Sequence, residues 1–90
     1  MSERYRLRIA RPAARALTEL LPEKVAAAAY EFITGPLLDD PHRVGKPLGP
    51  PMNPAWSARR GTYRILYFLD DANGIVEVTA VRHRSDAYRT

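Results

Sequence analysis

The sequence contains no cysteine, so neither a disulfide framework nor a thiolate metal site can hold it together. That absence fits a reducing compartment. Its two histidines, His42 and His83, lie far apart in the chain, which leaves no ligand spacing that would suggest a metal. No apolar run approaches the roughly 20 residues that a membrane span requires. The opening Met1-Ser2-Glu3-Arg4-Tyr5-Arg6-Leu7-Arg8 lacks the apolar stretch of a secretory signal, so a cytoplasmic location without a membrane partner is expected. There is no phosphate-cradling glycine loop of the GxxxxGK[ST] kind and no GxSxG nucleophile turn, and no nucleotide cofactor is expected. Asp39-Asp40 and Asp70-Asp71 stand beside proline or glycine and read as turn formers rather than metal ligands. No internal repeat and no low-complexity tail is present.

What remains is a 90-residue chain with 46% hydrophobic residues, enough for one domain over residues 1–90 with a thin core. The formal net charge is +4, and arginine supplies most of the positive charge. A basic surface of this size favours polyanions or acidic proteins as partners, although many small basic domains bind no nucleic acid.

Hydrophobic spacing gives the order of elements. Tyr5, Leu7 and Ile9 alternate with Arg6 and Arg8, the pattern of a half-buried strand over residues 5–9 with a basic outer face. Pro12 suits the first turn of a helix, with Ala13, Leu17, Leu20 and Leu21 at helical spacing. Pro22 breaks that helix and starts the next, in which Val25, Ala28, Ala29, Phe32 and Ile33 mark one face. Gly35-Pro36 is a stop signal. Residues 36–54 are rich in proline and glycine, and no regular element is expected there, only a wrapping or mobile loop. Residues 56–60, 63–69 and 75–81 read as strands, joined by Gly61-Thr62 in a type II′ turn and by a second turn over 70–74. The expected fold is a two-layer α+β domain of β-α-α-β-β-β order. A helical hairpin covers one face of a mainly antiparallel four-stranded sheet and the other face is open.

The first hairpin has a definite register. With Gly61-Thr62 at the turn, Arg60 faces Tyr63, Arg59 faces Arg64, Ala58 faces Ile65 and Trp56 faces Tyr67. A one-residue slip would drive arginine into the core. Trp56, Ala58, Ile65 and Tyr67 then look toward the helices, and Arg59 and Arg64 toward the open face. Like charges directly across a ladder cost a few tenths of a kcal/mol or more. A phosphate between them removes that cost and suits two guanidinium groups. Arg6 and Arg8 add charge if the first strand joins with the same facing. A phosphate-binding face and an ordinary solvated basic surface both fit this pattern. The C-terminal run from Arg82 to Arg89 adds His83, Arg84 and Tyr88. These are components of acid–base work on a phosphodiester, although Tyr88 could equally be an aromatic anchor.

Taken together, Asp40-Pro41-His42-Arg43-Val44-Gly45-Lys46-Pro47-Leu48, the stretch Trp56 to Tyr67, Asp70-Asp71, Val81-Arg82-His83-Arg84 and Tyr88-Arg89 resemble the RelE branch of the RelE/ParE toxin superfamily, especially actinobacterial RelE-type toxins. The resemblance covers nearly the whole chain. It implies a toxin of a type II toxin–antitoxin pair that cuts messenger RNA in the ribosomal A site without a metal. In that chemistry the RNA's own 2′-hydroxyl attacks the adjacent phosphate and leaves a 2′,3′-cyclic end. It also implies a cognate antitoxin that wraps and silences the toxin. On this resemblance Arg64 and Arg84 match phosphate-stabilising arginines, Tyr88 a substrate-positioning or stacking tyrosine, and His83 a candidate proton donor. Arg59, Arg60, Lys46 and Arg82 are candidate RNA or phosphate contacts. Ala55 and Ser57 stand where well-studied family members carry two lysines, and Arg82 stands where they carry glycine. Two alternatives share the fold: a ParE-like protein that poisons DNA gyrase without a catalytic set, and a weakly active relative that acts with its antitoxin in repression.

Overall fold

The computed structural model describes residues 4–83. Five strands form one sheet: β1 (Arg6–Ile9), β2 (Lys46–Pro47), β3 (Trp56–Arg60), β4 (Tyr63–Asp70) and β5 (Ile75–His83), in the spatial order β1-β5-β4-β3-β2. Pairing is antiparallel except between β1 and β5, which run parallel. The α+β class stands. The strand count is a correction, because four strands were expected and β2 comes from the proline-rich stretch in which none was foreseen.

The β3–β4 hairpin follows from its turn. Gly61 has φ +59° and no described residue other than glycine has positive φ, which is the signature of a type II′ turn with glycine first. Trp56 pairs with Tyr67, Ala58 with Ile65, Arg59 with Arg64 and Arg60 with Tyr63, the register the arginine pattern demands. At the β4–β5 turn the Asp70 carboxylate accepts from the Asn73 backbone N–H at 3.1 Å and from its side-chain amide at 2.9 Å, and Gly74 takes φ +66°. A bulge between Leu66 and Tyr67 leaves Thr79 as the extra residue of β5. Its hydroxyl donates to the Leu66 carbonyl at 3.2 Å.

The helical layer departs from ideal periodicity in two places. Helix α1 (Arg11–Arg15) widens into a π-helical turn over Ala16–Leu20, closed by the Leu21 N–H on the Ala16 carbonyl at 3.0 Å. Ala13 and Ala16 are buried. Leu20, expected on the apolar stripe, is 64% exposed, because the wider turn rotates it away from the sheet. Helix α2 (Glu23–Phe32) buries Ala29, Phe32 and the following Ile33. It does not stop at Gly35-Pro36 as expected. The chain stays helical through a second π turn, Ile33–Leu37, and buries Leu37 and Leu38. Proline inside a helix costs about 3 kcal/mol. Burying two leucines returns roughly 3–6 kcal/mol, and the wider turn relieves the clash of the ring with the preceding turn.

The segment that resisted assignment is an ordered strap. Helix α3 (Pro41–Val44) leads into β2, which pairs with β3 through Lys46–Ser57 and Pro47–Trp56. The fully buried Tyr67 donates its hydroxyl to the Pro41 carbonyl at 2.6 Å, and burial pushes its phenol up to about 12. Its ring stacks on Trp56 at 6.3 Å between centroids, and His42 meets the same indole edge-on at 5.0 Å. Gly45 passes so close that an added Cβ would collide with the Tyr67 hydroxyl and lie 2.9 Å from the Ser57 carbonyl. Outside this core, Asp71 accepts from the Tyr5 hydroxyl at 2.7 Å and meets His42 Nε2 at 2.9 Å, and Arg4 pairs with Asp39 at 2.6 Å.

Tyr67→Phe should lower stability by about 1–3 kcal/mol, the cost of leaving a buried carbonyl unpaired. Gly45→Ala should cost at least as much through overpacking. Urea unfolding curves of both variants test this, and unshifted midpoints would mean that the strap adds nothing. The Tyr5 hydroxyl first, then His42, holds the Asp71 carboxyl below the usual aspartate range. A depressed folded pKa contributes stability above the unfolded value and loses it as pH falls through the folded one. Stability should therefore drop between neutral pH and about pH 3, and part of that drop should be missing in Asp71→Asn.

Candidate nucleic-acid interface

The helices cover one face of the sheet, and strand alternation sorts every side chain to the covered or the open side. On the open side the strand register lines residues up in four rows. The first row is Arg82, Arg64 and Arg59, on β5, β4 and β3. The second is Ala80, Leu66, Ser57 and Lys46. The third is Arg8, Glu77 and Phe68, and the fourth is Arg6, Ile75 and Asp70.

The first row concentrates the positive charge of this face. Three exposed guanidinium groups stand on adjacent strands about 4.8 Å apart. Among the described residues none of the three makes an ion pair. Like charges directly across a ladder are destabilising, and the sheet holds them there because their neighbours in sequence, Ala58, Ile65 and Val81, must be buried. A dianionic or pentacoordinate phosphate placed over the row would satisfy the planar donor forks of two or more arginines. Lys46, brought in by the strap, extends the cationic surface one row further at the β2 edge.

The structure brings together Arg59, Arg64, Arg82 and Lys46, and separates two other candidates from them. Arg60 pairs with Tyr63 on the covered side, where its guanidinium lies 5.2 Å from the centre of the Phe32 ring. That contact fastens the hairpin to α2 rather than presenting a cation to the open face. His83 pairs with Tyr63 as well, so strand alternation sets it on the side opposite Arg82 and Arg64. Arg84 and Tyr88 lie outside the described residues. Arg6 and Arg8 do share the open face. Arg8, however, stands across from Glu77, and Arg6 donates to the Asn73 carbonyl at 3.2 Å. Ser57 is half-buried in the second row, and Ala55 is buried just before β3.

Sequence reasoning passed over the apolar part of this face. Leu66 and Phe68 follow Arg64 at two-residue intervals, so the parity that turns the arginine to the open face turns them there too, with Leu66 half-buried. Phe68 is 39% accessible. Among the described residues no group of three or more His, Asp or Glu side chains is close enough to hold a metal, and no helix is long and apolar enough to cross a membrane.

Comparison with known proteins gives the lineage. The sequence profile of the ParE toxin of the type II toxin–antitoxin system parDE matches residues 4–88. The chain belongs to the RelE/ParE toxin family. Among its relatives, Toxin RelE of Mycobacterium tuberculosis is 49% identical over 94% of this chain and 87% of its own length. Toxin RelG of the same organism is 46% identical over 94% and 97%. The toxin–antitoxin complex RelBE2 from Mycobacterium tuberculosis contains a chain that superposes with a TM-score of 0.87 at 44% identity, covering 91% of this family member and all of that chain. The isolated Escherichia coli RelE toxin, at 21% identity and a TM-score of 0.71, shares the fold, covering 88% of this chain and 83% of its own.

If the arginine row is a repulsive cluster awaiting an anion, Arg59→Gln should raise stability by a few tenths of a kcal/mol at low ionic strength, and the gain should vanish near 1 M salt. Urea unfolding at two salt concentrations measures this. A loss of stability in the variant would show that Arg59 is already satisfied within the chain.

Proposed function

We propose that this member of the RelE/ParE family is a type II toxin that cuts messenger RNA on the ribosome. The observation that carries the reading is the row Arg59–Arg64–Arg82, three exposed cations held together on an uncovered sheet face. Cleavage by the RNA's own 2′-hydroxyl needs no metal and no protein nucleophile. The 2′-hydroxyl gives up its proton to water as its oxygen attacks the adjacent phosphorus, the bond to the 5′-oxygen breaks and that oxygen takes up a proton, and a 2′,3′-cyclic phosphate and a 5′-hydroxyl remain. The protein must orient the 2′-oxygen, stabilise the charge that builds on the phosphorane and let the departing 5′-oxygen gain a proton.

Arg64 at the centre of the row is assigned the principal phosphate contact, with Arg59 and Arg82 beside it and Lys46 at the edge. Arg84, from the resemblance to the family, is assigned a second phosphate-stabilising role and Tyr88 a stacking or positioning role. His83 is retained as the candidate proton donor at the end of β5. Its place across from Tyr63 requires it to reach the substrate around the strand end rather than across the arginine row. Arg60 is better explained by its contact with Phe32 than by RNA. An arginine is a poor general base at neutral pH, so an enzyme built this way has strong charge stabilisation and weak base catalysis, consistent with Ala55 and Ser57 at the family's lysine positions.

By analogy with the RelBE2 toxin–antitoxin complex, the partner that silences the chain is a cognate antitoxin whose acidic or amphipathic segment covers the basic face and the helices in the cytoplasm. A second reading is favoured by two observations: the matching profile is that of ParE, and the two lysines are absent. In that reading the chain inhibits DNA gyrase and cuts nothing.

The deciding experiment is in vitro translation with the purified chain, followed by primer extension on the message. Ribosome-dependent cuts with the parent, and a loss of at least a hundred-fold in Arg64→Ala (the order of a lost transition-state charge contact), are expected. An intact message with unimpaired translation would sink the nuclease reading, and a supercoiling assay would then test the gyrase alternative.

A further inference from the structure

We infer that Phe68 is a base-stacking platform for the RNA strand whose phosphate sits on the arginine row. The inference rests on the RNA reading of this face and assigns a subsite within it. Phe68 shares strand β4 and the open face with Arg64, four residues away, which is about 13 Å along an extended strand. Leu66 lies between them, so the path from cation to aromatic runs over apolar surface. A single strand with a phosphate on Arg64 passes over Leu66 and brings a neighbouring base to Phe68 a short way along the chain.

The charge pattern decides which part of a nucleotide each row takes. The first row is wholly cationic and fits a phosphate. The third row sets Glu77 directly across from Phe68, with Arg8 beyond it at the sheet edge. A carboxylate next to the ring repels the phosphate backbone, while the ring offers a π-face to any base. The glutamate is an acceptor for base amino groups, so bases with donors on their pairing edge are favoured there. Backbone on the cations and base on the aromatic row is the arrangement by which single-stranded RNA is held without strong sequence readout. An exposed phenylalanine would otherwise be a liability on this face.

The test uses fluorescence anisotropy with the full chain and a short labelled oligoadenylate, alongside the translation and primer-extension assay. Phe68→Ala should weaken RNA binding about ten-fold, the loss typical of one stacked base, and Phe68→Trp should restore it. The thermal unfolding midpoint should stay in place, because the ring is partly exposed. Replacing one nucleotide of the RNA by an abasic residue should weaken binding to the parent by a similar factor at one position. At that same position it should cause no further loss in Phe68→Ala, a non-additivity that a merely structural effect would not produce. Unchanged affinity in Phe68→Ala, or additive losses at every abasic position, overturns the proposal. So does a variant that keeps its RNA affinity but no longer binds an acidic amphipathic peptide, which would give the surface to a protein partner. The arms separate the two levels of inference. If Arg64→Ala abolishes cleavage and Phe68→Ala leaves RNA binding intact, the nuclease reading stands and the stacking platform falls. If the parent cuts no message and binds no RNA, both fall.

Discussion

The hydroxyl of Tyr67 donates to the carbonyl of Pro41, and the rest of the architecture depends on that buried contact. The hydrogen bond joins the centre of the sheet to a segment rich in proline and glycine that has little regular structure of its own. Around it Gly45 has no room for a side chain, Trp56 stacks on the tyrosine ring and His42 closes on the indole edge. A two-residue strand would not hold a loop by its ladder bonds alone. Here β2 pairs with β3 because the strap is already fixed one helical turn earlier. Lys46 reaches the basic face as a result, so a buried phenol determines where a surface cation sits.

The second constraint is parity. In a sheet covered on one face, each residue that must be buried dictates the exposure of its neighbours. Ala58, Ile65 and Val81 are in the core, and Arg59, Arg64 and Arg82 are forced outward on three adjacent strands. The electrostatic cost of that row is small beside the cost of a register slip, which would bury guanidinium groups. The core thus holds together a cluster that its own charges would disperse, and a held cluster of cations is pre-organised for an anion that needs several donors at once. The same parity turns the half-buried Leu66 and the exposed Phe68 to this side and gives the open face its mixed character.

Much of this was legible in the sequence. The hairpin register could be derived from glycine at the turn and from the intolerance of a core for arginine, and the pairing agrees residue by residue. The α+β class and the order of the longer elements follow from hydrophobic spacing, which gave neither α3 nor β2. Where the reading failed, local signals were outweighed by burial. Gly35-Pro36 is a strong stop, yet Leu37 and Leu38 gain more in the core than the proline costs. Leu20 has the right spacing for an ideal helix and is exposed because the helix is not ideal. The strap could not be seen because its order comes from contacts with Trp56, Tyr67 and Asp71, far along the chain, and from no periodic pattern of its own.

For the candidate site, the sequence by itself determined which residue types are available and, through alternation, that Arg59 and Arg64 share a face. Those are short-range consequences of backbone geometry. Only the tertiary structure decided that β5 adds Arg82 to the same row and that Lys46 joins from the strap. It also decided that Arg60 is drawn to Phe32 and that His83 lies across from Tyr63 on the covered side. Each of these depends on which strands become neighbours, and that is set by packing between segments far apart in the chain.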